Sequence, residues 1–284
     1  MRVLRKWVFV GFLTLLTLTL GPTGFAQSAS PGSAISPNDL VRAVVANELK
    51  PQDHPGRWMY QVDKEEDGKK QTKEVVQTRE GSLERLTEID GHSLPSEKQQ
   101  EEAVRLEKLV SHAPERQKLE EVQKKDTEQC EAFFKMIPDV FLFSYEGHEG
   151  ELVKLGFKPN PTFQPSSREA RVLHAMEGEI LVQASEQRLG AISGHLVEDV
   201  KFGRGLLGYL EKGGTFSIKR TEIAPAQWVL TAMEVNMKGK ALFLKTIAVQ
   251  QKEYRSSFRK VTEDLTPVDA ANILTNRVTL AANQ

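Results

Sequence analysis

RVLHAMEGEILVQ (Arg171–Gln183), RLGAISGHLVEDV (Arg188–Val200), GTFSIKRTEI (Gly214–Ile223), WVLTAMEVNM (Trp228–Met237), ALFLKTIAVQQ (Ala241–Gln251) and EYRSSFRKV (Glu253–Val261) follow one another through the C-terminal part of the chain. Each is rich in aliphatic, β-branched or aromatic residues, and Gly, Asn, Lys and Pro clusters lie between them. Turn signals recurring roughly every 8–12 residues predict consecutive antiparallel strands. A sheet with one wet face alternates cleanly between apolar and polar side chains, and several of these segments do not. Val172, Met176, Ile180 and Val182 oppose Leu173, Ala175 and Leu181 in the first segment, and Leu242 and Leu244 oppose Ala241, Phe243 and Ile247 in the fifth. Two-sided burial in an antiparallel chain predicts a curved sheet, with helices over one side and an apolar lumen or second layer.

The upstream chain reads as a complement to this sheet. RWMYQVDKE, KKQTKEVVQTR and SLERLTEID, separated by Asp67-Gly68 and Glu80-Gly81, predict a three-stranded meander. Alternation places Trp58, Tyr60 and Val62 on one face of its first strand and Met59, Gln61 and Asp63 on the other. DVFLFSYEG and ELVKLGFKP predict a further hairpin, and the three prolines of KPNPTFQPSS (Lys158–Ser167) leave an extended crossing loop.

Helices are expected at two places within the β pattern. Ser36 as N-cap, Pro37 in the first turn and apolar residues at 40, 41, 44, 45 and 49 predict a helix laid on the sheet. The Glu-, Lys- and Gln-rich stretch Ser96–Ile137 predicts a helical hairpin insert, with Pro114 opening the second arm. Thr266-Pro267-Val268-Asp269 offers one more helix start in the tail.

Lys and Arg number 38 against 39 Asp and Glu. That balance gives no electrostatic reason to expect nucleic acid or an anionic surface as partner. Arg2, Arg5 and Lys6, the apolar stretch Val8–Leu20 and the small residues up to Ala26 have the form of a secretory signal, with cleavage after Ala26. The expected organisation is a signal over 1–26, a linker over 27–35, a β domain over 36–262 carrying the insert 96–137, and a tail over 263–284. A periplasmic or secreted protein, not integral to the membrane once cleaved, is implied. Cys130 is the single cysteine, so an internal disulfide is excluded, and a buried thiol on a helix is the simplest role for it.

Catalytic and metal-binding patterns are missing. The six histidines show no zinc-ligand spacing, and no GxSxG elbow is present. Ser193 and His195 share a strand face without a third partner to orient them. No cofactor or metal is called for, and the expectation is a noncatalytic protein. KFGRGLLGYLEKGGTF (Lys201–Phe216) fits no phosphate motif; Leu206, Leu207 and Tyr209 among its glycines read either as a mobile apolar loop or as a tight strand crossing.

Signal, capped helix, meander, helical hairpin and long antiparallel run together resemble the layout of the LolA/LolB-like periplasmic lipoprotein carriers. RAVVANEL, RWMY, LVKLGFKPNPTF, HAMEGEI, VKFGRGLLGYLEKGGTF and GKALFLKTI are similar to an uncharacterised family of secreted bacterial proteins of that type. The resemblance implies an α+β fold, mainly antiparallel β: a curved incomplete barrel with helices covering one side of a hydrophobic lumen. It also implies a lipid or lipidated protein as partner. Burial of acyl methylenes, about 0.8 kcal/mol each, would supply affinity, and Trp58, Tyr60, Phe141, Phe143, Met176, Phe216, Trp228 and Phe243 are the candidate lumen contacts. A protein-binding or envelope-sensor module acting through the helical hairpin is the alternative.

Overall fold

The computed structural model describes residues 35–50, 56–203, 207–241 and 245–281. The expected signal segment and the candidates Leu206 and Phe243 lie outside those residues. The chain runs α1 (Pro37–Glu48), β1 (Arg57–Glu66), β2 (Lys69–Thr78), β3 (Gly81–Ile89), β4 (His92–Ser93), α2 (Ser96–Ser111) and α3 (Ala113–Val140). It continues β5 (Phe141–Glu149), β6 (Leu152–Pro159), α4 (Arg168–His174), β7 (Met176–Gln183), β8 (Arg188–Leu196), β9 (Val200–Phe202) and β10 (Gly208–Leu210). The last elements are β11 (Thr215–Ala224), β12 (Gln227–Ala241), β13 (Lys245–Val261) and α5 (Pro267–Ala281).

The strands form one open sheet in the order β4-β3-β2-β1-β13-β12-β11-β8-β7-β6-β5, and β10 branches onto the end of β12 with β9 beside it. All these pairings are antiparallel. The expected α+β class and antiparallel sheet are therefore present, and the sheet is not closed. Asp67 and Gly68 both take positive φ, 52° and 80°, the turn that matches strand twist in a two-residue hairpin.

Three segments depart from the sequence expectation. RVLHAMEGEILVQ begins as a helix, because Ser167 caps α4 by accepting from the Ala170 amide, so Val172 and Leu173 are helical and the strand starts only at Met176. ALFLKTIAVQQ is divided between two strands, its second part continuing through EYRSSFRKV as the single strand β13. Helix α3 extends past Ile137 to Val140 and carries Pro138 near its end.

Helices lie on both faces, not on one. Register fixes the faces: Phe143, Phe157, Gly178, Gly194, Phe216, Val235 and Gln251 stand side by side across seven strands, and Leu155, Ile180, Ile192, Ile218, Met233 and Glu253 across six of them. On this inner face α1, α4 and the C-terminal part of α3 contribute Leu40, Val41, Val44, Phe134, Ile137, Val140 and Leu173 to the main core. Met59, Val76 and Leu83 occupy the opposite face of β1 to β3, where Leu106 of α2 and Ala270, Ala271 and Leu274 of α5 pack on them. The second layer covers β1 to β3, whereas the two-sided burial expected of Arg171–Gln183 reflects the helical placement of Val172 and Leu173. The tail is docked as part of that second layer.

Both open edges of the sheet are covered by helix side chains that stand in for a missing strand. On β3 the Gln123 amide donates to the Ser82 carbonyl (2.9 Å) and accepts from the Ser82 N–H (3.2 Å). Arg105 donates to the Glu84 carbonyl and Glu102 accepts from the Leu86 N–H. On β5 the Asn38 amide likewise donates to the Phe141 carbonyl and accepts from the Phe143 N–H. Edge groups paired in this way do not offer a template to another strand. From Gln123 to Val140, about 27 Å at 1.5 Å per residue, α3 joins one edge to the other and passes directly into β5.

Candidate functional site

The inner face holds two apolar compartments. In the larger, Phe141, Phe143 and Phe157 gather with centroids 4.5 to 6.2 Å apart, and Met176 and Phe216 are buried in the same cluster. Gly178 and Gly194 lie between Phe157 and Phe216 in the register, and a methyl group at Gly194 would meet Phe216 at 2.9 Å and Phe157 at 3.1 Å. The rings therefore occupy the room that two missing side chains leave. Four of the candidate lumen residues are brought together here, packed against the protein's own helices.

The smaller compartment contains Trp58, Tyr60, Val62 and Val75, with Ile223, Ala224 and Phe258 packed against them. The pairing of β12 with β13 stops at Ala232 and Tyr254, while β11–β12 continues to Gln227 and β1–β13 to Val261. The strands part there, and the end of β11 curls inward onto the β1 cluster. Tyr60 stacks on Phe258 at 5.2 Å, and the Arg255 guanidinium stands 5.6 Å from its ring centroid. Arg255 is itself held by Glu253 through Nε and Nη2 at 2.9 and 2.7 Å.

Among the described residues, two donors in this compartment have no acceptor. The Trp58 indole N–H and the Tyr60 hydroxyl are both shielded from solvent, in residues 8% and 3% exposed, and neither makes a hydrogen bond. Burial pushes the Tyr60 phenol above its ordinary value, with Arg255 acting in the opposite direction. A buried donor left unpaired costs about 1–3 kcal/mol, and the great majority of such groups in folded proteins have a partner.

A charged cluster that the sequence reading missed sits at the end of α1. Glu48 accepts from the Leu189 amide (3.0 Å) and pairs with Arg220 at 2.5 Å and Arg188 at 3.5 Å. All three side chains are largely buried, at 8, 15 and 13% exposure. Glu48 lies three residues after Val45 and four after Val44, on the apolar face of α1. An acid in that stripe was the available signal. Cys130 of α3 is close enough to feel Arg220, but burial, with Glu131 adding to it, pushes its thiol up to about 12. It stays protonated at neutral pH, a poor nucleophile.

The other candidates are dispersed. Trp228, half-buried at the start of β12, donates from Nε1 to Glu186 at 2.9 Å and belongs to neither cluster. Leu207 is exposed, and Tyr209 lies in β10, paired with Lys201 and Lys240. His195 faces Glu177 across β7 and β8 at 3.4 Å on the exposed side of the sheet. Ser193, two residues from His195, is about 6.7 Å away along the strand, and no hydrogen bond links the pair. His174 is bonded to the Asn160 carbonyl, which docks the proline-rich loop. Among the described residues no group of side chains could hold a metal ion, and no helix is long and apolar enough to cross a membrane.

Comparison of the chain with protein-family models, with curated proteins and with solved structures found no match to any of them.

Proposed function

We propose that this is an exported, noncatalytic carrier that holds or passes on an acyl-bearing ligand, a lipoprotein or another envelope lipid, on a curved, incomplete barrel of the LolA/LolB-like type. The observation that carries the reading is the pair of donors unpartnered among the described residues, Trp58 Nε1 and Tyr60 Oη, inside an apolar compartment of the inner face. An ester, carboxylate or phosphate oxygen of an amphiphile would give both donors an acceptor, and its chain would find Val62, Val75, Phe258 and Ile223 around it. The main core is the scaffold for this site. Phe141, Phe143, Met176 and Phe216 act by holding the sheet's curvature.

Native mass spectrometry of mature protein from the periplasm, followed by organic extraction, tests the reading. A discrete acyl-bearing adduct is expected, and Tyr60→Phe should weaken its retention about tenfold, the loss of one hydrogen bond of about 1.4 kcal/mol. Bare protein that also takes up no fluorescent fatty acid would sink the proposal. A protein-binding role for the helical hairpin is the second reading, supported by Val104 and Val122, which are exposed on α2 and α3. It predicts partner capture that is lost on replacing those two valines by serine.

A further inference from the structure

The glycine-rich stretch after β8 builds a surface that the ligand site does not use. Lys201 of β9, Tyr209 of β10 and Lys240 of β12 stand directly opposite one another in the register, so their side chains share one face. Lys238, two residues along β12 from Lys240, is on that face as well and is exposed, and Leu207 just before β10 is 41% exposed. The other side of the arm is fixed: Val200 and Leu210 are buried in the main core and Phe202 packs against it. The backbones are in close approach, since a methyl group at Gly239 would fall 2.2 Å from the Tyr209 carbonyl oxygen.

Among the described residues no ion pair engages Lys201, Lys238 or Lys240. Three acids lie close along the chain, and Glu198, three residues before Lys201, is exposed. The Asp199 carboxylate accepts from the Lys212 amide (2.8 Å), and Glu211 follows Tyr209 by two residues, its amide bonded to the Lys238 carbonyl. We propose that this face of the β9–β10 arm docks the protein on an anionic lipid membrane. Three free lysines meet the headgroups, while the Tyr209 ring and Leu207 reach the boundary between headgroup and acyl chain. Lysine stems and tyrosine rings suit that boundary because each pairs an apolar body with a polar tip. The lysines supply charge attraction that falls off within a Debye length.

Co-sedimentation of the mature protein with vesicles tests the proposal, using phosphatidylcholine alone and phosphatidylcholine mixed with phosphatidylglycerol. Binding to the phosphatidylglycerol vesicles is expected, weakening as salt is raised. Each lysine contributes about fivefold, so the double variant Lys201→Gln/Lys240→Gln should bind about 25-fold less well. All these positions are at the surface, and an unchanged circular dichroism spectrum shows that the fold is kept. Wild-type protein that ignores anionic vesicles, or a double variant that binds as well as wild type, overturns the proposal. The Tyr60→Phe variant should bind vesicles normally, so failure of the ligand reading and failure of membrane docking are read separately.

Discussion

Among the described residues Glu48 is the one acid in the inner layer that pairs with two arginines, and its position explains its worth. Its carboxylate closes three demands at once: the Leu189 amide, Arg188 and Arg220. A buried ion cluster is not in itself a source of stability, because desolvation offsets most of the attraction. Removal of one member is another matter, since the rest remain buried with nothing to balance them. Glu48→Gln keeps the shape and a hydrogen-bond acceptor for Leu189 but leaves two guanidinium groups facing a neutral amide. A loss of about 3–5 kcal/mol is expected, read as a lower urea midpoint with an unchanged slope. A loss below about 1 kcal/mol, within the range of exposed pairs, would show that water reaches the cluster. The contrast with Tyr60 is instructive. There the buried polar atom has no partner, so Tyr60→Phe should leave the ligand-free protein as stable as before or more so, while Glu48→Gln cannot.

Edge protection is decided at the level of the element. Helix α2 lies along β3 through Arg105 and Glu102, and the Glu102 carboxyl feels opposing influences: burial raises it, while the hydrogen bonds from Arg105 and the Leu86 amide, with the charges of Arg105 and Lys73, lower it and prevail. Its value in the folded protein is therefore below that of the unfolded chain. The stabilisation it gives is fully present above the unfolded value, about 4.3, and is lost as pH falls through the lower folded value. Acidification below about pH 4 should accordingly speed hydrogen exchange at the Leu86 amide before the ladder between β7 and β8 is affected. In Glu102→Gln that local pH dependence should disappear; if it persists, a different group holds α2 to the edge.

These capping contacts also mark what the sequence could show and what it could not. Asp67-Gly68, Ser36 with Pro37, and Pro114 are local signals, and each places an element within a residue or two of its observed position, as strand period does for β1 to β3. The same holds for the face assignment of Trp58 and Tyr60 against Met59, which register bears out. Asn38 and Gln123 bond to strands 41 or more residues away, and nothing in their neighbours distinguishes them from solvent-facing amides. For the β9–β10 arm the sequence leaves a mobile loop and a tight strand crossing both open, because three-residue strands are too short to show a period. The apolarity of Arg171–Gln183 was legible, but its cause was not: Val172 and Leu173 belong to a short helix capped by Ser167, and alternation read over one strand does not show where a helix hands over to it. Of the site, Trp58 and Tyr60 were within reach as aromatics on one face, whereas their missing acceptors and the neighbouring Arg255 depend on packing.

Over the whole molecule, the open sheet is completed by helices in place of further strands. Helix α3 is the member that touches both edges, clamped to Ser82 by Gln123, tied to α1 through Asp139 and Arg42 at 2.7 Å, and continuous with β5. Its N-terminal two-thirds are held mainly by polar contacts, since buried residues on it begin only at Phe134. Its C-terminal turns are set in the main core, and α2, the other arm, supplies Leu106 to the core on the opposite face. Deletion of 96–137 therefore cannot act as the removal of an appendage. It strips Phe134 and Ile137 from one core and Leu106 from the other, side chains whose loss costs about 2–5 kcal/mol each. It also leaves the Ser82, Glu84 and Leu86 backbone groups of β3 unpaired along an edge that can then recruit other strands. Losses of that size exceed much of the 5–15 kcal/mol by which a domain is stable, so the deletion variant should show no cooperative urea transition and should aggregate. A short deletion confined to 113–118, at the polar start of α3, should instead keep a single transition with a lowered midpoint. A native-like transition in the full deletion would mean that the sheet folds unaided, and the strut role of α3 would have to be abandoned.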